Sequence, residues 1–174
     1  MSEAAVTCEP TLMDHFRQAM RSVASSVFLV TTRGPEGNAG MTATAVCSLS
    51  FDPVSVLICV NRSAAFLKAL EASGKFALNI LSRDDEEIAK AFGSPTGRQR
   101  RFGLGDWYEL DGMPALRSSL STIVCDVASQ TDFGSHRIFV GQVSQVHNRD
   151  GGPELLYCRG TFRSLQSDSK HSRL

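Results

Sequence analysis

Between Gly40 and Ser63 the chain reads GMTATAVCSLSFDPVSVLICVNRS, and here its polar, chemistry-bearing side chains crowd together. Thr42, Thr44 and Ser48 alternate along what reads as one strand, so they share a face. An apolar run, Val54 to Val60, follows, and Asn61, Arg62 and Ser63 close the stretch. Hydroxyls at one end and a guanidinium at the other suit a polar, anionic ligand held between them. A hydroxyl row facing a core costs free energy unless it is paired. On an exposed edge the same row is ordinary, and the pattern alone leaves both readings open. Two further candidates stand outside this stretch. His136 opens a strand after Gly134-Ser135, although an isolated histidine is more often a surface side chain than a catalyst. Arg98, Arg100 and Arg101 cluster in a Gly- and Pro-rich segment. They form either a solvated turn or an anion clamp, since arginine offers a fixed fork of donors to phosphate.

Other chemistries lack their residues. No GxGxxG follows a strand, and there is no Walker loop and no GxSxG elbow. The histidines at 15, 136, 147 and 171 are scattered and no CxxC accompanies them, so no metal site is expected. Paired carboxylates occur only in DDEE, residues 84–87, at the start of a helix where negative charge favours the macrodipole. That position reads as capping, not catalysis.

The elements that must hold these residues can be read from periodicity. Residues 1–10 read as a loose leader. Thr11 with Asp14 resembles a capping box, and Leu12, Phe16, Met20 and Val23 follow at helical spacing. SVFLVTT (26–32), Gly40–Ser50 and Val54–Val60 read as strands divided by turns at RGPEGNAG and Asp52-Pro53. A short helix spans 63–73 and ends at Gly74. KFALNIL is a strand, and Ser82 with Asp85 caps a helix carrying Ile88 and Phe92. Residues 94–116 show no clear period and read as a long loop, of the functional or the mobile kind. Strands at roughly 119–130, 136–147 and 154–165 finish the domain, joined by hairpin-like DFGS and RDGG links. Residues 11–166 are therefore expected to form one mainly β domain, an antiparallel barrel with a few covering helices, followed by a flexible tail, 167–174.

Composition narrows the partners. The 174 residues suit one domain with a sizeable core. Eighteen basic residues balance eighteen acidic ones, so no global field draws nucleic acid or an anionic membrane. No apolar run approaches the roughly 18 residues of a membrane helix. The five cysteines make an odd set that fits free thiols in a cytoplasmic protein.

The whole run from Gly40 to Ser94, with GSHRIFVGQV and PELLYCRGTFRSL, resembles the flavin reductase-like family. The likeness spans about residues 12–165. It implies an FMN-binding split β-barrel, the reductase component of two-component flavin monooxygenases. Bound molecules would be FMN or FAD, and NADH in preference to NADPH. By that resemblance flavin lies along Met41, Thr42, Ala43, Thr44, Ala45 and Ser48, beside Cys59 and the Asn61–Ser63 turn. Arg62 and Ser63 suit its phosphate. The segment from Phe92 to Phe102, with Arg98 and Arg101, resembles a loop closing over the cofactor. His136 resembles the residue lining the nicotinamide side, near Tyr157, Arg159 and Arg163. The family also implies a homodimer and an oxygenase that receives reduced flavin. Two departures stand out: Asp52-Pro53-Val54 where the family often has DPP, and Gly134-Ser135-His136 where it often has GDH. The competing readings are a flavin-binding protein without turnover and an oxidase of the pyridoxamine-phosphate type.

Overall fold

A computed structural model describes residues 11–165, so the expected leader and tail (1–10 and 167–174) lie outside the described residues. Helix α1 is Leu12–Arg21, and its capping box forms as expected. The Thr11 backbone N–H donates to Asp14 at 3.0 Å, and the Asp14 N–H donates to Thr11 Oγ1 at 3.3 Å. The strands that follow are β1 Ser25–Ser26, β2 Phe28–Gly34, β3 Gly37–Ala43, β4 Val46–Phe51 and β5 Val54–Asn61. Next come α2 Phe66–Ser73, β6 Lys75–Ile80, and α3 Glu86–Gly93 behind a 3-10 turn at Arg83–Asp85. A second 3-10 segment, Arg98–Gly103, leads to β7 Trp107–Leu110 and β8 Met113–Leu116. The long strands β9 Ser121–Phe133 and β10 His136–Asn148 precede β11 Leu156–Cys158 and β12 Thr161–Arg163. Among the described residues no helix is long and apolar enough to cross a membrane.

Seven strands form one antiparallel sheet in the order β3-β2-β6-β9-β10-β5-β4. Its two edge strands, β3 and β4, are consecutive in the chain and separated only by Thr44-Ala45. Three residue steps span at most about 11 Å. The sheet therefore curls until its edges approach, which makes a barrel split between β3 and β4. The stretch Gly40–Ser50 is thus not one strand. Its first half pairs with β2 and its second with β5, so Ser48 does not continue the face of Thr42.

Inside the barrel, Val30, Ile58, Val60, Phe76, Leu78 and Phe139 form the main core. A second cluster, with Val27, Leu29, Leu81, Ala89, Phe92 and Leu155, seats α3 on the sheet. A buried polar knot joins four strands. Asn79 Nδ2 donates to Leu29 O at 3.1 Å and to Thr31 Oγ1 at 3.2 Å. Its Oδ1 accepts from the Leu116 N–H at 2.8 Å and from Thr122 Oγ1 at 3.0 Å.

Three sequence expectations need correction. The loop expected over 94–116 carries the β7–β8 hairpin, whose turn places Asp111 and Gly112 at φ 48° and 81°. Two successive left-handed residues are the signature of a tight hairpin turn. The strand expected over 154–165 is a second such hairpin, β11–β12, turning at Arg159 (φ 54°) and Gly160 (φ 80°). Consequently RDGG does not close a hairpin, because β11 pairs with β1 and β12 instead of β10.

Candidate functional site

A cavity of about 340 Å³ opens on the free edge of β3. Gly40, Met41 and Thr42 form one wall, and Ala64, Ala65 and Phe66 at the start of α2 form the second. Phe92, Gly93 and Ser94 at the end of α3, with Arg101 and Phe102, close the third. Local chemistry fixes each wall. The Thr42 hydroxyl donates to Ala89 O at 2.7 Å and so pins α3 against β3. Phe92 packs edge-on to Phe102 with centroids 5.1 Å apart, and Trp107 backs both rings at 5.8 and 4.8 Å. A Cβ at Gly40 would meet the Phe92 ring at 2.8 Å, so only glycine lets that ring lie on the strand.

Arg101 is not a solvated turn residue. It is 8% exposed. Its guanidinium donates to Ser94 O and, at 3.5 Å, to Gly40 O, and stands 5.7 Å from the Phe92 ring centroid. It thereby ties the 94–103 segment to β3. Arg98 lies in the 3-10 segment, but its side chain is outside the described residues.

The Asn61–Ser63 turn is internally satisfied. Asn61 Oδ1 accepts from the Ser63 N–H at 2.9 Å and the Ser63 hydroxyl at 2.8 Å. Arg62 reaches away from the cavity to Asp132 (3.6 Å) and to Gly134 O (3.4 Å). Asp132 is in turn held by Arg137, which also pairs with Glu71. Immediately after this turn, α2 begins at Phe66 with Ala65 as its cap residue and no side-chain cap bond. The Leu67 N–H turns back to Ala64 O at 3.0 Å, and no side chain caps the terminus, which lies at the cavity wall and favours an anion. Sequence reasoning started this helix at Ser63 and missed Ala64, Ala65 and Phe66. The available signal was the absence of any Ser, Thr, Asp or Asn at the true cap position.

Two more cavities continue the first. One, about 380 Å³, shares Thr42, Gly93 and Ser94 with it and adds Ala43, Thr44, Lys90, Tyr157 and Phe162. The other, about 620 Å³, shares Thr44 and Tyr157 with the second and lies between α1 and the β11–β12 hairpin, with Arg159 at its rim. The three thus string Met41, Thr42, Ala43, Thr44, Phe92, Arg101, Phe102, Tyr157 and Arg159 along one groove.

The remaining expected residues line none of these cavities. Ala45 is spent on the barrel split, its carbonyl accepting from the Cys59 N–H at 3.0 Å. Cys59 is half-buried, and burial, then the neighbouring Cys47, pushes its thiol upward. Ser48 is exposed on β4, and Arg163 is exposed on β12. His136 opens β10 opposite Asn61, beside the Arg62 turn, and its Nδ1 is 2.9 Å from Ser135 Oγ.

Chemically, the first cavity has aromatic and aliphatic walls, main-chain polar groups along an open strand edge, and an anion-favouring helix terminus. None of its lining residues is a carboxylate or an imidazole. That suits a flat, largely apolar ring with a polar rim and a phosphate tail, as in a flavin mononucleotide.

Comparison with known proteins agrees with this geometry. Residues 20–166 match the flavin reductase like domain. The chain is 35% identical over 155 residues to the FMN reductase (NADH) RutF of Pseudomonas syringae, covering 88% of this chain and 87% of that one. It is 34% identical to the reductase component of 4-hydroxyphenylacetate 3-monooxygenase from Pseudomonas aeruginosa, covering 87% and 91%. Among solved structures, the NADH:FAD oxidoreductase of Streptomyces globisporus, in complex with NAD and FAD fragments, superposes with a TM-score of 0.85 at 27% identity, covering 95% and 100%. With the split barrel, the groove along β3 and a match over most of its length, the chain belongs to the flavin reductase like family.

Proposed function

We propose that this protein is an NADH-dependent flavin reductase that reduces FMN or FAD and supplies the reduced flavin to a flavin-dependent oxygenase. The observation that carries the reading is the first cavity, an aromatic-walled slot running from the open edge of β3 to the uncapped start of α2. Met41, Thr42, Phe92 and Phe102 would hold the ring system, and the α2 terminus its phosphate. Bound flavin supplies the acceptor for hydride from a nicotinamide, chemistry that belongs to the cofactors. The chain's own task is to place the two rings and exclude water. That task needs no catalytic triad or carboxylate pair. His136, beside the Asn61 turn, is assigned to positioning on the nicotinamide side.

A homodimer and a cytoplasmic location complete the proposal. Three observations support a second copy. The α1 stripe of Leu12, Phe16 and Met20 is exposed. Phe51 and Phe133 are 87% and 80% exposed. On the sheet face opposite the core, Leu57 and Cys59 on β5 lie beside Val140 and Ile138 on β10, all only half-buried. The thiols at Cys47, Cys59, Cys125 and Cys158 fit a reducing compartment. Residues 11–166 are read as one domain.

The test mixes purified protein with NADH or NADPH and with FMN or FAD, following absorbance loss of the reduced nicotinamide. Rapid consumption dependent on added flavin is expected, faster with NADH. A tightly yellow protein inert to both nicotinamides would replace the proposal with flavin binding without turnover. Oxidation of a pyridoxamine phosphate instead would favour the oxidase reading.

A further inference from the structure

Four charged side chains join the Asn61–Ser63 turn to the β9–β10 hairpin and to α2. Asp132 on β9 accepts from Arg137 on β10 through both carboxylate oxygens, at 2.5 and 3.0 Å. Arg137 also pairs with Glu71 on α2. The fourth member, Arg62, stands 3.6 Å from Asp132 and donates to Gly134 O at 3.4 Å. The two arginines are held unequally. Arg137 has a bidentate grip and its side chain is 21% exposed, whereas Arg62 makes two long contacts and is 53% exposed. Bidentate pairing is the strong form, and a long, exposed ion pair contributes little. Asp132 therefore keeps Arg137 when Arg62 leaves.

The base of Arg62 is fixed although its tip is not. Its N–H donates to Ser135 O at 2.9 Å, and the Ala64 N–H donates to Asn61 O at 2.9 Å across the turn. Asn61 Oδ1 accepts from both the Ser63 N–H and the Ser63 hydroxyl, so Ser63 is spent within the turn and does not cap α2. Two residue steps, at most about 7 Å of chain, separate Arg62 from Ala64 on the wall of the first cavity. With the turn unmoved, the long arginine stem can carry the guanidinium from Asp132 to the start of α2.

We infer that Asp132 sets the selectivity of this site for phosphorylated flavin by competing for Arg62. The guanidinium rests on Asp132 and transfers to the flavin phosphate, while Arg137 holds the carboxylate in place. The inference rests on the flavin reductase reading above. The family resemblance points Arg62 at the phosphate; the structure adds the carboxylate that holds it back. Energetics favour the transfer. An arginine on a phosphate makes charge-assisted and commonly bidentate hydrogen bonds, and the exchange gives up one exposed pair. The carboxylate thus lowers affinity for the phosphate without touching the ring. A flavin that lacks the phosphate gains nothing from the exchange and leaves the pair intact.

The test measures binding of FMN and of riboflavin, which lacks the phosphate, by fluorescence titration. Arg62→Gln should weaken FMN binding about tenfold, the size of one lost charge-assisted hydrogen bond, and leave riboflavin within about twofold. Asp132→Asn should tighten FMN binding about threefold, the size of an exposed ion pair, again without moving riboflavin. In Arg62→Gln/Asp132→Asn the tightening should vanish, because no arginine is left to release. Tightening that persists in the double variant would overturn the inference and reduce Asp132 to a repelling charge acting at a distance. Equal losses for FMN and riboflavin in Asp132→Asn would also overturn it, and would make the network a brace for α2. So would an Arg62→Gln variant that binds FMN like the wild type. A wild-type protein that binds neither flavin would sink the flavin reductase reading itself, and this inference with it.

Discussion

Arg101→Ala separates a pin from a ligand. The buried guanidinium joins Ser94 O, Gly40 O and the Phe92 face, so removing it takes the donor from Ser94 O and loosens the 94–103 segment. A hydrogen bond from a charged donor contributes roughly 1.5–3 kcal/mol. The 3.5 Å approach to Gly40 O is long, so most of that belongs to Ser94. The ring contact adds about 0.5–2 kcal/mol. These contributions share one side chain and do not simply add, and a loss of about 3 kcal/mol is expected. Urea denaturation with fluorescence of Trp107, which packs on Phe92 and Phe102, reads that loss directly. Flavin titration of the folded variant should show weaker binding as a consequence of the loosened wall. Arg101→Lys should recover less than half of the stability, because a point charge cannot span both carbonyls. Wild-type stability combined with abolished flavin binding would refute the argument and make Arg101 a direct ligand of the cofactor.

Asn79→Leu removes four buried hydrogen bonds at once and should cost about 3–5 kcal/mol in chemical denaturation; a loss below about 1 kcal/mol would mean the knot is not structural. His136→Ala should lower kcat/KM for NADH by about tenfold or more while flavin affinity changes less than about threefold, and unaltered kinetics would leave it an ordinary strand-end residue. Hydrogen bonds from Lys75 and then Ser144 hold the Asp111 carboxyl below its ordinary value. A depressed carboxylate contributes stability above its unfolded-state pKa and loses it as pH falls through the folded-state value. Lys75→Met should therefore move acid unfolding to higher pH, and an unshifted acid midpoint by circular dichroism would count against this pair.

Legibility followed periodicity. The capping boxes at Thr11 and Ser82 were readable because their partners sit three residues on. The apolar runs at 54–60 and 75–80 were readable because a core-facing strand has few other uses. The two short hairpins were missed because each is only three or four residues a side. Their turn signals, Asp111-Gly112 and Arg159-Gly160, were the evidence available. The break at Thr44-Ala45 leaves no local mark, since both halves are extended and only their partners differ. The cavity residues Met41, Thr42, Phe92 and Phe102 were anticipated through family resemblance, whereas the α2 terminus required the tertiary arrangement.

That break also explains why the groove lies where it does. A central strand spends its main-chain groups on both neighbours, leaving few for a ligand. Strand β3 pairs on one side only, with β2, and the chain leaves it after Ala43 to join the opposite edge as β4. An unpaired edge is normally a liability, open to pairing with another chain. Here α3 and the 94–103 segment cover it, held by Thr42 on Ala89 and by Arg101 on Gly40. These two side chains stand apart along β3, and the first cavity opens beside both of them. The covering therefore blocks strand addition while leaving main-chain polar groups for a flat ring. Splitting the barrel, protecting its edge and making the binding slot are consequences of one topological choice, made within two residues of sequence.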